Sequence, residues 1–195
     1  MPFIFKRLAL LLSIAAVSAA DKQQAFHAPA VADMAHRQTV SQVTIGAETY
    51  VAGDKVRAAF GRVVPYDYGV LPVLVVIQND SHETIRLDQM KAEYVGERSR
   101  VTATPADEVQ YAHPGRRPDL GAGPKSPIPI KKRNPLGAPE IQGRALNAEM
   151  VAPGLSASGF LYFQTQIQNN ATIYITGLSE ARSGKELFYF EIPVE

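Results

Sequence analysis

Short apolar and alternating runs of strand length recur over residues 39–103 and 150–194, alternation with a period of two being that of a strand with one buried face. The strongest block, residues 70–77, reads Val-Leu-Pro-Val-Leu-Val-Val-Ile and stops at Asn79-Asp80-Ser81. A short β-branched run closed by turn formers predicts a strand buried on both faces, and Pro72 opposes a helix there. Val40, Val43 and Ile45, set among Ser, Gln and Thr, predict one earlier strand. Residues 84–87 alternate as the start of a partner, and residues 92–95 and 100–103 predict two strands joined by a turn around Gly96. Beyond residue 150, Pro153-Gly154, Asn169-Asn170 and Ser183-Gly184 punctuate strands over 158–164, 172–176 and 187–194. Three such strands in succession predict an antiparallel meander. The total of seven or eight short strands predicts an antiparallel sandwich over residues 39–195.

Two segments depart from this period. Gly53-Asp54 opens residues 55–60, and Gly61 follows. Asp54 as N-cap and Gly61 as C-cap predict one short helix, with Val56, Ala59 and Phe60 on its buried face. The second departure covers residues 105–139, where seven prolines from Pro114 to Pro139 and four glycines break any ladder or helix. A segment this long without regular structure is either functional or disordered. Residues 140–148 fit a helix or a strand equally.

Charge makes the proline-rich insertion the main candidate for contact with a partner. Between residues 116 and 133 it carries Arg116, Arg117, Lys125, Lys131, Lys132 and Arg133 against Asp119 alone. Proline holds such a segment extended with its backbone solvated, which suits an anionic envelope component or another envelope protein. The plain alternative is a solvated surface loop. Tyr66 and Tyr68, flanking Asp67 in a turn, are further candidates; loop tyrosines packed over a sheet edge are the commoner case.

The ends of the chain bear on its location. Lys6 and Arg7, then the apolar run 8–17, then Ser18-Ala19-Ala20 read as an export leader over residues 1–20 cut before Asp21. The run is half the roughly 20 residues a membrane span needs. Loss of Lys6 and Arg7 takes the formal net charge from +1 to −1, so global charge offers nothing to nucleic acid. Residues 21–38 are polar and alanine-rich and read as a flexible N-terminal segment. The chain has no cysteine and no tryptophan. Disulfides, thiolate metal sites and cysteine nucleophiles are therefore excluded. The expected location is the periplasm or the medium, with no transmembrane anchor after the leader.

The run Leu71-Pro72-Val73-Leu74-Val75-Val76-Ile77-Gln78-Asn79-Asp80, followed by Ile85-Arg86-Leu87, resembles the early strand pair of immunoglobulin-like exported bacterial domains. Val151-Ala152-Pro153-Gly154, then Ser158-Gly159-Phe160-Leu161-Tyr162-Phe163, is similar to their proline-glycine turn and aromatic strand. The chain also resembles uncharacterised secreted proteins of Gram-negative bacteria that end in a comparable Phe-Tyr-Phe-Glu-Ile-Pro strand. The resemblance implies a mainly β, immunoglobulin-like β-sandwich with one short helix and a long proline-rich insertion. It implies no function, because this architecture hosts many.

Catalytic patterns are missing. His27, His36, His82 and His113 have no metal-ligand spacing, and Asp107-Glu108 is a neighbouring pair rather than two opposed carboxylates. No G-x-S-x-G elbow and no phosphate-cradling glycine motif occurs. No cofactor is expected. The favoured expectation is a non-enzymatic binding or assembly module of the cell envelope. An envelope hydrolase with dispersed acids, and a structural domain that self-associates through its last strand, are the alternatives.

Overall fold

The computed structural model describes residues 26–97, 99–112 and 134–194; the leader expected over residues 1–20 lies outside them. In chain order the strands are β1 (Arg37–Val40), β2 (Val43–Thr49), β3 (Leu71–Asn79), β4 (Ile85–Arg86), β5 (Lys91–Val95) and β6 (Arg100–Thr102). They continue as β7 (Met150–Val151), β8 (Ser156–Phe163), β9 (Ala171–Thr176), β10 (Ser179–Glu180) and β11 (Phe190–Val194). Two short helices, α1 (Gly53–Phe60) and α2 (Pro139–Gly143), complete a mainly β fold. One four-stranded sheet runs β1-β2-β3-β8, another runs β11-β9-β5-β6, and a small third sheet runs β10-β4-β7. All strand pairs within them are antiparallel, and neither large sheet closes into a barrel.

The alternation in the sequence decides which side chains meet. Val73, Val75 and Ile77 of β3 join Tyr94 of β5, Ile173 of β9 and Ile192 of β11 in one buried cluster shared by both large sheets. The other face of β3, through Leu74 and Val76, enters a second cluster with Phe160 and Tyr162 of β8. That cluster is roofed by Val56, Ala59 and Phe60 of α1, together with Leu136 and Ile141. The unbroken apolar run of β3 follows from having a core on each side, as its sequence predicts.

Several expectations need correction. The early strand is a hairpin, because Ser41 and Gln42 both adopt positive φ (50° and 63°) and turn β1 back on β2. A two-residue turn of this hand usually carries Asn or Gly, so the sequence hid it. The meander does not form: β8 pairs with β3, whereas β9 pairs with β5 and β11 in the other sheet. Residues 164–170 are long enough to cross the roughly 10 Å between packed sheets, which a tight hairpin turn is not. The last strand begins at Phe190; Leu187 tucks into the core and leaves Phe188 and Tyr189 exposed.

From Phe26 onward the N-terminal segment packs on the domain. Phe26 packs against Tyr50 and Phe160 with ring centroids 6.1 and 5.5 Å away, and Met34 is buried. Aromatic burial of this kind offsets the entropy of ordering a short strap. The flanks of the insertion also belong to the fold: Val109–Tyr111 and Pro135–Gly137 form 3₁₀ turns with Val109 and Leu136 buried. Residues 113–133 lie outside the described residues. In α1 the buried residues are the three expected, and Gly61 N–H closes the helix on Arg57 O at 2.8 Å. Its N-cap is Ala52 rather than Asp54, which sits in the first turn where a carboxylate favours the helix dipole. Residues 140–148 begin as the end of α2 and then run beside β8, where Ala145 bridges Phe160.

Candidate functional site

The six basic candidates Arg116, Arg117, Lys125, Lys131, Lys132 and Arg133, and His113, lie outside the described residues. What the structure builds is the stem that carries them. Asn134 accepts a hydrogen bond from the Leu136 amide at 3.1 Å, capping the turn that follows. The same side chain donates to the Gln110 carbonyl at 2.5 Å, which ties the returning chain to the departing one. Gln110 in turn donates to the Asp107 carbonyl at 3.0 Å. Val109, Ala112 and Leu136 are buried beneath these hydrogen bonds, so residues 107–112 and 134–137 form one closed stem. Tyr111 stands at this stem with 72% of its surface exposed. No sequence signal singled it out, because one tyrosine before a proline-rich run has no period to belong to.

The turn Pro65–Tyr68 packs against the Pro135–Gly137 turn, so the fold brings Tyr66 and Tyr68 to the same region as the stem. Their roles differ. The Tyr66 hydroxyl accepts a hydrogen bond from the Ile167 amide at 3.1 Å, and its ring packs on the core between the sheets. Tyr68 is half-buried against the second cluster, and Asp67 between them is exposed. Tyr66 thus holds the crossing segment 164–170 in place, and Tyr68 retains the freer ring.

A polar cleft of about 580 Å³ lies between the N-terminal strap and β2, lined by His27, Asp33, His36, Glu48, Tyr50 and Lys55 among others. Glu48 is ion-paired with Lys55, so the second acid of the cleft is already partnered. Among the described residues no group of three or more His, Asp or Glu side chains is placed to hold a metal. No helix there is long and apolar enough to cross a membrane.

The strongest electrostatic perturbations fall on structural tyrosines. Burial, with Glu48 nearby, pushes the Tyr50 phenol up to about 12. Burial also raises Tyr162, whose hydroxyl donates to the Ile141 carbonyl at 2.7 Å. A phenol with a raised folded pKa adds stability that is complete below its unfolded value of about 10 and is lost as pH rises toward the folded value. Urea midpoints are therefore expected to fall between pH 10 and 12, and Tyr50→Phe to flatten that fall. An identical profile for wild type and variant would rule out Tyr50 as its source.

No family model matches the chain, and no curated protein matches its sequence. Among solved structures it is similar to a protein named as a lipoprotein from Bacillus subtilis subsp. subtilis str. 168, at 12% identity and a TM-score of 0.40. That match covers 80% of this chain and 38% of the Bacillus protein, so the chain spans well under half of that protein's length. It is also similar to the archaellum periplasmic stator protein FlaG from Sulfolobus acidocaldarius, at 9% identity and a TM-score of 0.31 over 75% of this chain and 99% of that one. A functionally unknown protein from Listeria monocytogenes EGD-e matches at 11% identity and a TM-score of 0.35 over 80% and 79% of the two chains. At these values the likenesses carry no inference about what the chain binds or does.

Proposed function

We propose that the chain is an exported, non-enzymatic binding or assembly module of the cell envelope, periplasmic or secreted. In this reading it is an immunoglobulin-like β-sandwich that engages an anionic envelope component or another envelope protein through its basic segment. The order β2-β3-β8 in one sheet and β11-β9-β5 in the other, with a shared core, supports the sandwich. The single observation that supports the function is the Asn134–Gln110 hydrogen bond, which ties together the two described stretches that flank residues 113–133. Segments that a rigid scaffold presents at both ends commonly serve contact.

The alternatives have less behind them. Self-association through the last strand needs a free edge on β11. That edge lies beside β1 and β2, and the Glu191 amide donates to the Gln38 side chain at 2.5 Å. A hydrolase needs two opposed free acids, and Glu48 in the cleft beside β2 is held by Lys55.

Deletion of residues 115–133 tests the proposal. The unfolding midpoint should stay the same or rise slightly, since each halving of a loop lowers its closure cost by about 0.6 kcal/mol. Binding to phosphatidylglycerol vesicles, or capture of envelope components, should weaken at least about tenfold, since each cation near an anionic surface contributes about 1 kcal/mol. Undiminished binding and capture by the deletion variant would exclude the basic segment as the contact.

A further inference from the structure

The outer faces of the two large sheets are treated differently by the fold. On β1-β2-β3-β8, Leu74, Val76, Phe160 and Tyr162 are buried beneath α1, α2 and the stem. On β6-β5-β9-β11 no outward-pointing position is buried. The pairing there runs without interruption, so that Thr102, Glu93, Tyr174 and Glu191 line up in one row across four strands. The result is a regular face about 14 Å from first to last strand.

Aromatic and polar groups on this face are already ordered. The Arg100 guanidinium carbon lies 5.2 Å from the Tyr174 ring centroid, and Arg100 pairs with Glu93 at 3.6 Å. The Tyr189 ring packs against Tyr174 with centroids 5.2 Å apart and planes 31° apart, and 49% of Tyr189 is exposed. Thr172 and Thr176 flank Tyr174 along β9. The charges balance: Lys91 and Arg100 stand against Glu93 and Glu191.

We propose that this face binds a neutral polysaccharide, with sugar rings laid against Tyr189 and Tyr174. A sugar ring offers an apolar C–H face and a rim of hydroxyls. The C–H face suits an exposed aromatic ring, and the hydroxyls suit fixed guanidinium, carboxylate and hydroxyl groups. Balanced charge disfavours a polyanion here, in contrast to the segment 113–133. The central row holds no aliphatic anchor of the kind that fills pockets in protein–protein interfaces. The Arg100–Tyr174–Tyr189 stack is preorganised, so binding immobilises few further rotamers.

Affinity electrophoresis of the full chain tests this, in native gels containing laminarin, soluble starch, hydroxyethylcellulose or dextran, with alginate as the polyanion. At least one neutral polysaccharide should retard the protein. Tyr189→Ala and Tyr174→Ala should each weaken that retardation at least tenfold, while Tyr189→Phe keeps it within twofold. The 115–133 deletion should leave it unchanged, so this inference and the function proposed above succeed or fail separately. Retardation by alginate alone, by none of the neutral polymers, or equally in wild type and a folded Tyr189→Ala would overturn the proposal.

Discussion

Asn79→Ala should lower the stability of the domain by about 3 kcal/mol, a drop of roughly 6–12 °C in unfolding midpoint for a chain of this size. Asn79 is the one fully buried polar residue among those described. Its Nδ2 donates to the Glu83 carbonyl at 2.8 Å and to the Val151 carbonyl at 2.9 Å. Its Oδ1 accepts from the Ser81 amide at 3.0 Å and the Ser81 hydroxyl at 2.6 Å. One side chain thereby joins the end of β3, the following turn and β7. Alanine would take this donor from the buried Val151 carbonyl and the acceptor from the Ser81 amide, each loss costing about 1–3 kcal/mol, whereas the Glu83 carbonyl keeps the Ser81 hydroxyl. Asn79→Asp keeps the acceptor but turns a carboxylate toward those carbonyls, which raises its pKa in the folded state. Its cost should therefore shrink as pH falls below that raised value. Urea unfolding at pH 7 and pH 4 checks both variants, and a cost below 1 kcal/mol for Asn79→Ala would remove the hub from the account.

Gly177→Ala should cost more than about 3 kcal/mol or prevent folding. Gly177 follows β9 with φ at +79°, and a Cβ there would stand 2.1 Å from the Gln89 carbonyl oxygen. The obstacle is backbone at the entry to β5, so no side-chain rotation relieves it. Gly184 is the matched control: its φ is +68°, and a Cβ would meet nothing within 4 Å. Gly184→Ala should carry the conformational cost alone, about 1 kcal/mol. Equal midpoints for the two variants would show that chain conformation, and not the close approach to Gln89, sets the penalty.

These two sites differ in how far the sequence discloses them. Asn79 closes the strongest apolar run, so its turn-forming place is readable from its neighbours. Its tie to Val151, 72 residues away, is not. Gly177 carries no local mark, since its need for glycine comes from Gln89 crossing it. The candidate contact residues divide in the same way. The basic segment stands out by composition, whereas the use of the Tyr66 hydroxyl by Ile167 depends on a segment that arrives about a hundred residues later.

Strands whose pattern is local are legible in the amino-acid order alone. β3, β5, β6 and β9 appear close to where alternation and turn residues place them, and α1 buries the three side chains its spacing selects. Hydrophobic period and turn chemistry act within a few residues and so leave a local trace. Long-range packing chose the sheet that each strand joined. It sent β8 to β3 and β9 to β5, laid Phe26 and the stem over one sheet, and, among the described residues, laid no helix over the other. Partner choice is set by the total apolar surface removed from water, a sum over residues distant in the chain that no local window contains. The stack of Arg100, Tyr174 and Tyr189 has the same origin: strand register across one sheet assembled it from three separate strands and their flanks.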